Sequence, residues 1–107
     1  GMLAAHYAPR ARVVVATGDE VLALARAAAL RGERTEVLGA TNPRVAGVGH
    51  TALPSDLAAL ARSLYATLRA LDARGTQTAI VELPAAVGIG AAVADRLRRA
   101  AAASGGD

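Results

Sequence analysis

Arg12-Val13-Val14-Val15-Ala16-Thr17-Gly18-Asp19-Glu20-Val21-Leu22-Ala23-Leu24-Ala25-Arg26-Ala27-Ala28-Ala29-Leu30-Arg31-Gly32 decides the fold class of this chain. After Arg12 comes an unbroken, β-branched apolar run, the pattern of a strand buried on both faces of a parallel sheet. Thr17-Gly18-Asp19 turns the chain, and either Thr17 or Asp19 can cap a helix running from about Glu20 to Leu30. Gly32 then stands where a helix closes, because glycine enters the left-handed conformation without steric penalty.

Working outward, Thr35-Glu36-Val37-Leu38-Gly39 reads as a second strand, and Asn42-Pro43 marks a turn before a short apolar run, Val45-Ala46-Gly47-Val48. Only residues 40–44 separate those two runs. A parallel crossover takes a dozen or more residues, so the third run is expected to be an antiparallel edge strand or no strand. A long helix is predicted from near Pro54-Ser55-Asp56 to about Ala73, with Leu57, Leu60, Ala61, Leu64, Leu68 and Leu71 in one apolar stripe. Arg62, Arg69 and Asp72 fall on its other side, and Gly75 stands at the capping position. Thr78-Ala79-Ile80-Val81 is a further buried strand, and a last helix, about Ile89 to Ala102, carries Ile89, Val93, Leu97 and Ala101 on one face. Residues 1–11 show neither period and end in Ala8-Pro9-Arg10, which suits an extended linker. Ser104 to Asp107 should fray. Strands alternating with helices in this order imply an α/β fold: a small Rossmann-like three-layer sandwich, its mostly parallel sheet of four to five strands flanked by about three helices.

The composition narrows the function. The 107 residues hold one core, filled by Ala, Val and Leu because aromatics make up 2% of the chain. No cysteine is present, so disulfides and thiolate metal sites are ruled out, in keeping with a reducing compartment. The apolar runs stop well short of the roughly 20 residues a membrane span requires, so the expectation is a cytoplasmic protein with no membrane partner. All twelve basic residues are arginine and the net charge is only +3. They are scattered along the chain with two Tyr and no other aromatic, so direct RNA binding is not expected.

Two glycine turns invite a ligand. Gly18 opens a helix after a strand, where backbone N–H groups favour phosphate, but one Gly beside Asp19 and Glu20 is not a dinucleotide fingerprint. Gly88-Ile89-Gly90 opens the last helix, with Arg96, Arg98 and Arg99 two turns on. Gly18, Gly88, Gly90 and Arg96 are therefore candidates for ligand or docking loops, the alternative being an independent small-ligand or nucleotide-binding Rossmann-like module. His6, His50, Ser63, Tyr7 and Tyr65 are the other reactive side chains, and they assemble neither a triad nor a zinc site.

Three segments, His6-Tyr7-Ala8-Pro9, Leu64-Tyr65-Ala66-Thr67-Leu68-Arg69-Ala70-Leu71-Asp72, and Gly88-Ile89-Gly90-Ala91-Ala92-Val93-Ala94-Asp95-Arg96-Leu97-Arg98-Arg99-Ala100, resemble in order and spacing the C-terminal domain of the two-domain, Sua-type threonylcarbamoyl-AMP synthases. Gly1-Met2 looks like the end of that family's Ser-Pro-Gly-Met joint, whereas Leu3-Ala4-Ala5 stands where many members carry Lys-Tyr-Arg. The resemblance implies a linker over residues 1–11, a C-terminal domain over 12–104, and a YrdC-like catalytic domain in cis that lies outside this chain. That partner would use ATP, threonine and bicarbonate with Mg to form threonylcarbamoyl-AMP for tRNA modification, releasing pyrophosphate. This chain would carry no cofactor and no catalytic residue of its own. His6 and Tyr7 would contact the partner's active site through a linker flap, and the isolated domain could self-associate through its docking face.

Overall fold

The computed structural model describes residues 9–54 and 57–83. Their elements run β1 (Arg12–Ala16), α1 (Gly18–Leu30), β2 (Thr35–Leu38), β3 (Val48–Thr51), α2 (Leu57–Ala73) and β4 (Thr78–Glu82). The four strands form one sheet in the order β1-β4-β2-β3, every pair parallel. Val13 pairs with Ala79 and Val14 with Ile80, while Val37 lies against Ile80 on the other side of β4.

Two apolar layers build the sandwich. On one face Leu60, Leu64, Leu68 and Leu71 of α2 pack on Val13, Leu38, Ala79 and Val81. On the other, Val21 and Ala25 of α1 pack on Ala16, Val37 and Ile80. The alternation along β4, with Ala79 and Val81 toward α2 and Ile80 toward α1, is the two-residue period of a strand covered on both sides. The helices occupy opposite faces because β1-α1-β2 travels one way along the sheet and β3-α2-β4 returns the other way, so crossovers of one hand place them on opposite sides. Ala, Val, Leu and Ile supply the buried hydrophobic side chains of these layers, and Tyr65 packs partly buried against the α2 layer.

Helix ends obey the local sequence signals. Thr17 is the N-cap of α1, and its backbone N–H donates to Glu20 Oε1 at 2.9 Å. Gly32 takes φ +75° while its N–H donates to Ala29 O and that of Glu33 to Ala28 O, a Schellman closure. Gly75 repeats it at the end of α2 with φ +79°, its N–H on Asp72 O and that of Thr76 on Leu71 O.

The third strand departs from expectation. It occupies Val48–Thr51 rather than 45–48, and it pairs parallel with β2, Val37 opposite His50. The later start lengthens the connection to residues 39–47, which at about 3.3 Å per residue spans far more than the roughly 13 Å of return that a four-residue strand demands. No helix is needed for so short a return. Asn42 Oδ1 accepts the Arg44 N–H at 3.0 Å, Arg44 turns at φ +54°, and Val45 packs with Val48 on the α1 layer. The final predicted helix, Ser55-Asp56 at the start of α2, and the tail from Ser104 lie outside the described residues. Among those described, no helix is long and apolar enough to cross a membrane.

Candidate functional site

Parallel α/β sheets bind ligands at the carboxyl ends of their strands, and here that crest gathers Thr17-Gly18 after β1, Gly39-Ala40-Thr41 after β2, and Glu82 at the end of β4. Because β4 lies between β1 and β2, Glu82 stands in the middle. Its register places it beside Ala16 on the α1 side, and its Oε1 accepts the Thr41 N–H at 2.8 Å. Both flanking glycines press on it: a Cβ on Gly18 would lie 3.0 Å from Glu82 Oε2, and one on Gly39 would lie 2.7 Å from Glu82 Cβ. The crest therefore holds its own carboxylate over the first turn of α1. A carboxylate satisfies the partial positive charge of a helix N-terminus as a phosphate would. An incoming phosphate would have to displace Glu82 and then face Asp19 and Glu20, so the residues at Gly18 do not fit ATP. The described residues gather no group of three metal-ligating side chains.

The opposite end of the sheet holds the residues that lead into β1. Arg10 N–H donates to Asp72 Oδ2 at 3.0 Å and Ala11 N–H to Asp72 Oδ1 at 2.9 Å, so both carboxylate oxygens grip consecutive peptide groups. Arg12 N–H continues onto Gln77 O at 2.9 Å. Pro9 and Ala11 are buried. Residues 9–11, expected from the sequence to close an extended linker, are thus part of the domain's packing, and the direction in which they enter β1 is set. Asp72, read from sequence as lying with Arg62 and Arg69 on the side away from the leucines, stands four residues after Leu68, at the edge of the apolar stripe. The structure half-buries it, because a carboxylate that accepts two peptide N–H groups is stable where an unpaired one is not.

Beside that anchor lies a polar brace. Arg31 Nε and Nη2 donate to Glu33 at 2.9 and 3.1 Å, and Thr78 Oγ1 donates to Glu33 Oε1 at 2.8 Å. The Arg31 guanidinium first, then the Thr78 hydroxyl, hold the Glu33 carboxyl down at about 2. Arg34 N–H donates to Gln77 Oε1 at 2.8 Å and Arg34 O accepts from Gln77 and Thr78 N–H, tying the starts of β2 and β4 together. These groups are structural.

Of the residues singled out by sequence, Gly18 lies at the crest, about 13 Å or more along β1 from the linker anchor. His6, Tyr7, Gly88, Gly90 and Arg96 lie outside the described residues. His50 on β3 shares a 2.7 Å hydrogen bond between Nε2 and Gly39 O, and Ser63 Oγ donates to Leu60 O of its own helix at 3.3 Å. Both are engaged by backbone, and neither meets a partner that would make it a nucleophile or base. Glu82 and Asp72 are the residues that sequence reasoning passed over. Asp72 left one signal: an acidic side chain in the last turn of a helix opposes the macrodipole, so something else must hold it there.

The sequence profile described as threonylcarbamoyl-AMP synthase, C-terminal domain, matches residues 1–102. No curated protein matches by sequence. Among solved structures, the C-terminal Sua5 domain of a hypothetical Sua5 protein from Pyrococcus horikoshii superposes with a TM-score of 0.72 at 27% identity, covering 85% of this chain and 93% of that one. Sua5 of P. abyssi complexed with L-threonine gives 0.75 at 26% identity over 92% of this chain and 30% of that one. A P. abyssi Sua5 variant with an adjacent His and Tyr both changed to Ala gives 0.74 at 24% identity, with 90% and 29% covered, a likeness of fold. The chain thus spans under a third of the P. abyssi proteins and nearly all of the isolated domain.

Proposed function

Because the chain belongs to the family of threonylcarbamoyl-AMP synthase C-terminal domains, we propose that it serves as the regulatory and structural companion of a YrdC-like catalytic domain in cis, carrying a linker flap that closes over the catalytic pocket. The observation that carries this reading is the seat of the linker. Pro9 and Ala11 are buried, and the peptide N–H groups of Arg10 and Ala11 are held by Asp72, so the segment bearing His6 and Tyr7 is attached at a defined point. A flap of this kind works by excluding water and by opening for product release, and a rigid attachment makes its reach reproducible. The catalytic partner would supply the ATP and Mg chemistry that forms threonylcarbamoyl-AMP for tRNA modification. The His-to-Ala, Tyr-to-Ala variant of the P. abyssi protein supports attention to such a pair, and His6-Tyr7 is the one His-Tyr dipeptide of this chain.

The crest is not expected to be the working site, since Glu82 fills it. The domain is expected to act without binding tRNA itself.

The test is pyrophosphate release with ATP, threonine and bicarbonate. The domain alone should release none, and the two-domain synthase carrying it should lose activity when His6 and Tyr7 are both changed to Ala. Unchanged turnover in that variant would sink the flap reading.

A further inference from the structure

We infer that Asp72 is a positioning residue for the synthase reaction: its carboxylate clamps the chain at Arg10 and Ala11, where it enters the domain, and thereby fixes the base from which the proposed flap works. The inference rests on the proposed flap, and it adds the device that aims it.

Several independent features point to Asp72. Its two oxygens are shared between consecutive peptide N–H groups, Arg10 at 3.0 Å and Ala11 at 2.9 Å. Two bonds to neighbouring peptides fix both the position and the rotation of the chain at that point, which a single bond would not. Its place in α2 sets it against the macrodipole, because negative charge in a last helical turn faces the negative end. The helix does not need it for closure, since Gly75 and Thr76 supply the Schellman hydrogen bonds through backbone alone. Nor does the core need it, for Leu68 and Leu71 fill the apolar stripe and are fully buried. The partners lie some 60 residues away in sequence, so the clamp forms only when β1 and α2 are assembled. Tyr65, Arg69 and Asp72, at i, i+4 and i+7, share the stripe of α2 adjoining the leucines, so the linker crosses this stripe near its end.

The clamp also limits where the linker can move. Arg12 N–H on Gln77 O takes over where Asp72 stops, so residues 10–12 are held at successive peptides. Loss of Asp72 should therefore loosen the linker base and leave the sheet intact.

The experiment compares Asp72→Asn, Asp72→Ala and the His6→Ala/Tyr7→Ala double variant in the two-domain synthase carrying this domain. Amide hydrogen exchange and steady-state pyrophosphate release are measured on each. Asp72→Asn keeps the shape and one acceptor oxygen, so it guards against a variant that merely unfolds. Exchange at Arg10 and Ala11 should quicken by about tenfold or more in both Asp72 variants, given the worth of hydrogen bonds to a charged acceptor. Exchange in β1, β4 and α2 should not change. The kcat should fall toward that of the His6/Tyr7 variant, with KM for ATP unmoved. Unchanged exchange at Arg10 and Ala11 overturns the clamp. Faster exchange with normal kcat, while the His6/Tyr7 variant is impaired, overturns its role in aiming the flap and leaves the flap reading standing. Normal kcat in every variant overturns both. Exchange that quickens uniformly across the domain assigns Asp72 to fold stability and overturns the inference as well.

Discussion

Gly39→Ala should be among the most damaging single-methyl substitutions in this domain, and the reason is divisible into parts. Gly39 sits at φ +140°, and a Cβ there would lie 2.7 Å from Glu82 Cβ and 3.3 Å from Glu82 Oε1. Holding an L-residue at such a backbone conformation costs about 1–3 kcal/mol. Glu82 must also withdraw, and its carboxylate then gives up the 2.8 Å hydrogen bond from Thr41 N–H, a further loss of about 1.5–3 kcal/mol for a charged acceptor. The stiffer unfolded chain returns about 0.4–1 kcal/mol. The net expectation is roughly 2–5 kcal/mol, a large share of the 5–15 kcal/mol typical of a folded domain. Urea unfolding followed by circular dichroism reads it directly, and at an m-value of about 1 kcal/mol per molar the midpoint should drop by roughly 2 M or more. Gly32→Ala is the matched control. Gly32 also has positive φ, +75°, but nothing lies within 4 Å of its would-be Cβ, so it should lose only about 1 kcal/mol to strain. Adding Glu82→Gly to Gly39→Ala removes the opposing Cβ and should recover part of the loss. If Gly39→Ala is no worse than Gly32→Ala, the crowding at the crest is wrong.

Other outcomes rest on the same kinds of contact. Leu68→Ala, at a fully buried position between α2 and the sheet, should lower stability by about 2–5 kcal/mol in the same assay. Glu33 has a folded-state pKa lowered from its usual 4.5 to about 2, so its contribution is complete above about 4.5 and disappears as pH falls toward 2; Glu33→Gln should flatten the pH dependence of the urea midpoint in that window. Glu20→Ala removes the carboxylate that accepts from Thr17 N–H at 2.9 Å and should lower thermal stability by about 1 kcal/mol. ATP at saturating concentration should leave the melting temperature of this chain unmoved, because Glu82 holds the crest; an upward shift would show that a nucleotide does bind.

Much of the fold is readable along the chain. The valines of β1, the leucine stripe of α2, and the closing glycines Gly32 and Gly75 are local matters, since strand burial, helix period and helix termination depend on residues a few positions apart. Together they determine alternating strands and helices, and the α/β class with them. The family is legible too, because it rests on three ordered segments that need no coordinates. Tertiary structure decided the rest. Whether β3 runs parallel depends on where its hydrogen bonds to β2 fall, and a shift of three residues lengthened the connection enough to change the answer. The sheet order β1-β4-β2-β3 puts the last described strand in the middle, and only that order brings Glu82 between Gly18 and Gly39 and turns a phosphate-like turn into an occupied one. Asp72 stands at the edge of the leucine stripe on a helical wheel, and nothing in the helix reveals its partners, because the peptide N–H groups of Arg10 and Ala11 are backbone atoms distant in sequence. Periodicity registers side-chain polarity within one element. Hydrogen bonds that close between elements leave no periodic trace, and in this protein those bonds seat residues 10 and 11 and fill the crest.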